Sequence, residues 1–129
     1  MIEVFTDGAS RGNPGPSGAG VYIKVDGTTY AYCFPLGDLS NHEAEFHAVI
    51  KALDICQNRF PDDILSFRSD SKLVVDAINK NHTKNPQFLP LLKEVNQRGN
   101  IFPYFFIKWI PNKENKHADE LAKKAINLN

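Results

Sequence analysis

The chain has no net charge: 15 Lys and Arg balance 15 Asp and Glu. Proteins that hold nucleic acid nonspecifically are commonly basic, because phosphate neutralisation supplies much of their affinity. A neutral chain with a pI of about 6.9 argues against a tight nonspecific binder. It still leaves room for a local cationic strip beside an anionic metal site. Cysteine is scarce, with only Cys33 and Cys56 in 129 residues, far apart in unlike segments. That disfavours a disulfide framework and fits a reduced, cytoplasmic protein with two buried thiols. No apolar run is long enough to cross a bilayer, so no membrane partner is expected. Residues 1–10 already hold Glu3 and Asp7, unlike a signal peptide. Internal repeats and low-complexity tracts are missing too. What is present, 42% hydrophobic and 23% charged residues, suits one globular domain over residues 1–129, with one core.

Apolar alternation predicts strands at "MIEVFTDG", "GAGVYIKV" and "TTYAYCFPLG", the last two joined by a tight turn at Asp26-Gly27. They form an antiparallel meander. "SNHEAEFHAVIKALDICQNRF" reads as a long helix with Ser40 or Asn41 as its N-cap and Pro61 as its stop. A short strand, "ILSFRSD", and a helix, "SKLVVDAINK", follow, the helix with Leu73, Ala77 and Ile78 at helical spacing. Pro86 opens a further helix ending at Gly99, unless Pro90 splits it in two. "IFPYFFIKWI" is the last strand and "KENKHADELAKKAINL" the closing helix. The order β-β-β-α-β-α-α-β-α predicts an α/β fold with a mixed sheet covered on both faces.

Acidic residues recur where such a fold places ligands. Asp7 and Asp70 each end an apolar strand, and in open α/β sheets sites form beyond the carboxyl ends of strands. Read separately, Asp7 is a turn residue and Asp70 a helix N-cap. Glu45 lies one turn before Ala48 and Val49, on the apolar stripe of its helix, while Glu43 projects about 200° away from it. A carboxylate on a buried stripe is costly unless a cation or hydrogen bonds hold it. Asp119 sits at the edge of the stripe formed by Ala118, Leu121, Ala122, Ala125 and Ile126; Glu120, spaced to pair with Lys123 and Lys124, is the solvated acid. Carboxylates aimed at one region repel unless a divalent cation sits among them, and oxygen ligands suit Mg²⁺. Two such ions are the usual device for in-line phosphodiester chemistry.

"HEAEFH" is not a zinc helix. His42 and His47 are five apart and diverge by about 140°, whereas zinc needs i and i+4. Asp76 reads as solvated, and Asp62 and Asp63 belong to a turn. Trp109 and the cluster from Phe102 to Phe106 read as strand core rather than a base-stacking surface.

"TDGASRGNPGPSGAG", "NHEAEFHAVIKAL", "RSDSKLVVDAI" and "ENKHADELAKKA" resemble, in order, the four signature blocks of type 1 ribonuclease H. The resemblance covers nearly the whole chain. It implies a ribonuclease H-like fold, with three antiparallel strands and two parallel additions flanked by helices on both faces. It further implies endonucleolytic cleavage of the RNA strand of an RNA/DNA hybrid, leaving 3′-hydroxyl and 5′-phosphate ends. Asp7, Glu45, Asp70 and Asp119 match the family's catalytic, metal-binding acids, expected to hold two Mg²⁺ ions, with Mn²⁺ as a substitute. Gly8, Gly12 and Asn13 fall in the block matching the loop that touches the RNA minor groove. Ser40, Asn41 and His42 stand where the family contacts nucleic acid, although Asn or Gln is usual at His42. Many members carry a catalytic His in a loop before the last helix. Here "WIPNKENK" is shorter and holds Pro111 and Lys113 instead, with Lys113 a candidate for leaving-group or phosphate contacts. His117 lines up with a non-catalytic position. The segment after the second helix is short and modestly charged, so weak, salt-sensitive substrate affinity is expected of a protein working as a monomer. Two rivals stand beside this reading: an inactive ribonuclease H-like binding module, and a nuclease of the same fold acting on double-stranded RNA or DNA junctions.

Overall fold

Five strands build one mixed sheet in the computed structural model, which describes residues 1–129. β1 (Ile2–Ser10), β2 (Gly15–Val25) and β3 (Thr28–Leu39) form the antiparallel meander that alternation predicts. β4 (Ile64–Ser69) adds parallel to β1, and β5 (Tyr104–Trp109) parallel to β4, giving the order β3-β2-β1-β4-β5. The β2–β3 hairpin turns at Asp26 and Gly27, whose φ values of 47° and 80° are the left-handed pair a two-residue hairpin requires.

α1 (Asn41–Arg59) starts at Ser40, which, of the two candidates, is the cap. Ser40 Oγ accepts from the Glu43 amide and the Glu43 carboxylate accepts from the Ser40 amide, a closed capping box that accounts for Glu43. The helix buries Phe46, Val49 and Leu53 against Val4, Val21, Ile23, Leu65 and Phe67 of the sheet. α2 (Lys72–Lys80) and α3 (Leu89–Gly99) pack beside it. α2 buries Val74, Val75 and Ala77, while Leu73 is exposed. α3 begins three residues later than Pro86 suggests. Pro90 occupies its first turn, where a missing N–H costs nothing, so a single helix forms and Pro86 belongs to the preceding turn.

α4 (Lys116–Ile126) lies on the opposite face. Alternation along β2 turns Ala19, Val21 and Ile23 toward α1 and Gly18 and Gly20 toward α4. A Cβ on Gly20 would run into the Ala118 carbonyl and the Ala122 amide. The bare strand therefore lets the alanine stripe of α4 (Ala118, Ala122 and Ala125, all fully buried) close directly onto the sheet.

α4 packs on β1 to β3, which leaves the outer face of edge strand β5 open. Phe102 is buried and Phe105 packs edge-on against Phe67, as a core reading requires. Tyr104 and Phe106 are exposed instead, because no helix lies over their side of the sheet; Trp109, on the face of Phe105 and Ile107, is exposed at the end of β5, where its Nε1 donates to the Asp70 carbonyl. Both cysteines are free; Cys56 is buried, with burial pushing its thiol up to about 12, and Cys33 is only half-buried. No helix is long and apolar enough to cross a membrane.

Candidate active site

Asp7 does not end its strand. β1 runs on to Ser10, still paired with β2 through Ala9–Gly18 and Ser10–Ser17. What stops is the other neighbour: parallel pairing with β4 ends at Thr6–Ser69. From Asp7 onward β1 therefore has an open flank, and side chains from both faces of the sheet meet over the end of β4. The chain reversal comes later, at residues 11–14.

Four elements aim acids into this opening. Asp7, on β1, is 6% exposed. Glu45 comes from the second turn of α1 and accepts a 2.7 Å hydrogen bond from the Gly8 amide. Gly8 makes that bond possible, since a Cβ there would overlap the Ala44 backbone and hold α1 away. Asp70 follows β4. It is not the cap of α2, because Ser71 Oγ accepts from the Val74 amide, leaving the Asp70 carboxylate free. One carboxylate oxygen from each of Asp7, Glu45 and Asp70 lies within 4.8 Å of the others. Asp119, from the first turn of α4, lines the same cleft but stands outside the triad. Its Oδ2 pairs with Lys123 Nζ at 3.0 Å. The solvated i,i+4 pair expected of Glu120 is thus made by Asp119, one residue earlier.

Burial, followed by the neighbouring Glu45 and Asp70 carboxylates, pushes Asp7 up to about 11. Burial also raises Glu45, against the Gly8 N–H, and raises Asp70, against the amide of Asn115. A divalent cation would invert all three effects, since a charge of that size favours ionised ligands. The donors are oxygens only, the set a hard cation takes. No Lys, Arg or His forms an ion pair with any member of the triad. The residues therefore fit a metal ion.

The cleft has a volume of about 490 Å³, and besides the four acids it is lined by Gly8, Asn41 and His42 of the predicted contacts. Gly12, Asn13 and Ser40 are not part of that lining. Asn13 Oδ1 accepts from the Asn41 amide and Asn41 Oδ1 accepts from the Ser10 amide, each at 3.1 Å, so the loop and the head of α1 are laced together. Lys113 is exposed and outside the lining; Asn112, beside it in a 3-10 turn (Asn112–Glu114), faces the cleft. His117 lies outside the cleft, stacked on Tyr22 with ring centroids 4.2 Å apart. Contributors that escaped the sequence reading include Ser10, Ser71, Lys72 and Asn112 on the cleft wall, and buried Asn115, which bonds Thr6 and Asp70. For Asn115 the sequence reading offered no signal, because the predicted closing helix, "KENKHADELAKKAINL", takes it in, whereas α4 starts one residue after it, at Lys116.

Residues 5–125 match the family described as "Reverse transcriptase-like". The putative hydrolase EbsB of Enterococcus faecalis is 41% identical over 98% of this chain and 94% of its own length. The ribonuclease H of Mesorhizobium japonicum is 30% identical over 98% of this chain and 78% of its own length. Among solved structures, LC11-RNase H1 in complex with an RNA/DNA hybrid superposes with a TM-score of 0.91 at 31% identity, covering 99% of this chain and 98% of that one. With four acids from four elements meeting in a single cleft, and with these likenesses running almost end to end, the chain belongs to the type 1 ribonuclease H family of enzymes.

Proposed function

We propose that this protein is a metal-dependent endoribonuclease that hydrolyses the RNA strand of RNA/DNA hybrids, leaving 3′-hydroxyl and 5′-phosphate ends. The observation that carries the reading is the triad of buried Asp7 and Glu45 with half-buried Asp70, with oxygens within 4.8 Å and no protein cation paired to it. Asp119, which lines the same cleft, would complete the set. A binding module has no use for three mutually repelling acids drawn together, two of them buried. When bound, two Mg²⁺ ions supply Lewis-acid stabilisation to the attacking and leaving oxygens of an in-line displacement.

The protein's own residues would orient the substrate. Gly8, Asn41 and His42 face the cleft, and the loop carrying Gly12 and Asn13 is tied to Asn41. These groups would meet a hybrid along its minor groove, where ribose hydroxyls distinguish RNA from DNA without base reading. A hybrid is bound in the similar LC11-RNase H1 structure, which supports this choice of substrate. Lys113, exposed one residue beyond Asn112, is assigned a phosphate contact from the rim. If Lys113→Ala leaves turnover unchanged, that assignment fails.

One assay tests the whole reading. Labelled hybrid, duplex RNA and duplex DNA are incubated with the protein in Mg²⁺ and then Mn²⁺, beside Asp70→Asn. Cleavage of hybrid alone, lost in the variant, is expected. Binding without cleavage would favour a non-catalytic module, and cutting of duplex RNA or DNA would move the substrate class.

A further inference from the structure

Asn115 is 1% exposed and stands at the head of α4, yet its side chain makes no capping hydrogen bond. Nδ2 donates to the Thr6 carbonyl at 2.9 Å and reaches Asp70 Oδ2 at 3.5 Å, while Oδ1 has no partner. The shorter bond anchors the amide; the longer one aims its remaining N–H at the carboxylate. This orientation is forced. Turning the amide over would set Oδ1 against a carbonyl and a carboxylate, acceptors with no proton between them.

The three attachments of Asn115 reach three parts of the acid cluster. Thr6 precedes Asp7 on β1. Asp70 is itself a member. The Asn115 carbonyl accepts from the Asp119 amide at 3.1 Å, in the turn that begins α4. A buried side chain that gives up its own helix cap to bridge a strand carbonyl and a cluster acid is placed to serve the cluster. We infer that Asn115 is a positioning residue: it holds the Asp70 carboxylate turned toward Asp7 and Glu45, so that the cation site is formed before a cation arrives. This rests on the metal-dependent reading above, but it makes a claim about the protein without substrate. Ligand carboxylates are commonly oriented by outer hydrogen-bond donors in this way, and losing such a donor costs about 10–100-fold in metal affinity.

The test uses Mn²⁺ as probe with no nucleic acid present, free ion being followed by its paramagnetic resonance signal. Asn115→Ala removes the donor, and Asn115→Leu removes it while keeping most of the volume. Circular dichroism and a denaturant midpoint in chelator report folding separately. Both variants should bind Mn²⁺ about 10–100-fold more weakly than the wild type. In an Asp70→Asn background, Asn115→Ala should cost no further affinity, because the carboxylate it orients is gone; a merely structural role would lower affinity equally in both backgrounds. Wild-type affinity in either folded single variant overturns the assignment, and so does a full additional loss in the Asp70→Asn background. Hybrid cleavage by the wild type is measured in parallel. A protein that binds Mn²⁺ but cuts no hybrid defeats the ribonuclease reading, and the Mn²⁺ data then decide the role of Asn115 by themselves.

Discussion

A carboxylate that is 6% exposed beside two others works against folding of the metal-free protein. Asp7 titrates near 3.8 when unfolded and is raised to about 11 in the native state, so the native protein binds the extra proton over that interval. Its favourable contribution is complete below about pH 3.8 and drains away as pH climbs toward the native value. In chelator, Asp7→Asn should therefore match the wild type near pH 4 and exceed it at neutral pH, the gap opening by up to about 1.4 kcal/mol per pH unit. Urea unfolding at the two pH values measures this, and a gap independent of pH would contradict it. The same substitution should abolish cleavage. Lys123 offers a milder case. It is exposed, and its ammonium holds the Asp119 carboxylate that a cation would otherwise use. Lys123→Gln should tighten Mg²⁺ binding a few-fold by calorimetry and leave thermal stability near wild type, since exposed pairs contribute little.

Close approach of helix to strand governs the element scale. The Glu45 carboxylate reaches the cluster only because Gly8 lets the head of α1 lie on β1, and Asp119 only because Gly20 lets α4 lie on β2. Gly20→Ala should destabilise the protein by about 1–3 kcal/mol in urea unfolding, the range for an overpacked contact. Because the obstacle is backbone, it should also weaken metal binding by shifting α4. A full-affinity, wild-type-stable Gly20→Ala protein would show that the contact is looser than described. The inward direction of Glu45 was legible in sequence, because a 3.6-residue period places it over Ala48 and Val49. The start of α3 was less so: a proline marks a first turn, but Pro86 and Pro90 both qualify, and packing chose between them.

For the whole molecule, zero net charge leaves only local cations near the cleft, such as Lys72, to meet a polyanion. Hybrid affinity should be weak at physiological ionic strength and fall as salt rises, as read from fluorescence anisotropy over a salt series. Metal should act on the molecule as a folding ligand. Mg²⁺ at 100 times its Kd should stabilise the wild type by about 2.7 kcal/mol, and the gain should be much smaller in Asp70→Asn at the same concentration. Equal gains in both proteins would place the stabilising ion elsewhere.

Taken alone, the sequence determined the element order, the mixed sheet and the four acids, because period, turn chemistry and charge placed on apolar stripes are local properties. Tertiary structure decided how those acids are held. It ended β4 beside Thr6 so that Asp7 faces an opening, gave the cap of α2 to Ser71 rather than Asp70, paired Lys123 with Asp119, and turned the Asn115 side chain, at the head of α4, onto Asp70. Each outcome depends on which distant backbone a side chain meets, and that geometry exists only once both faces of the sheet have closed.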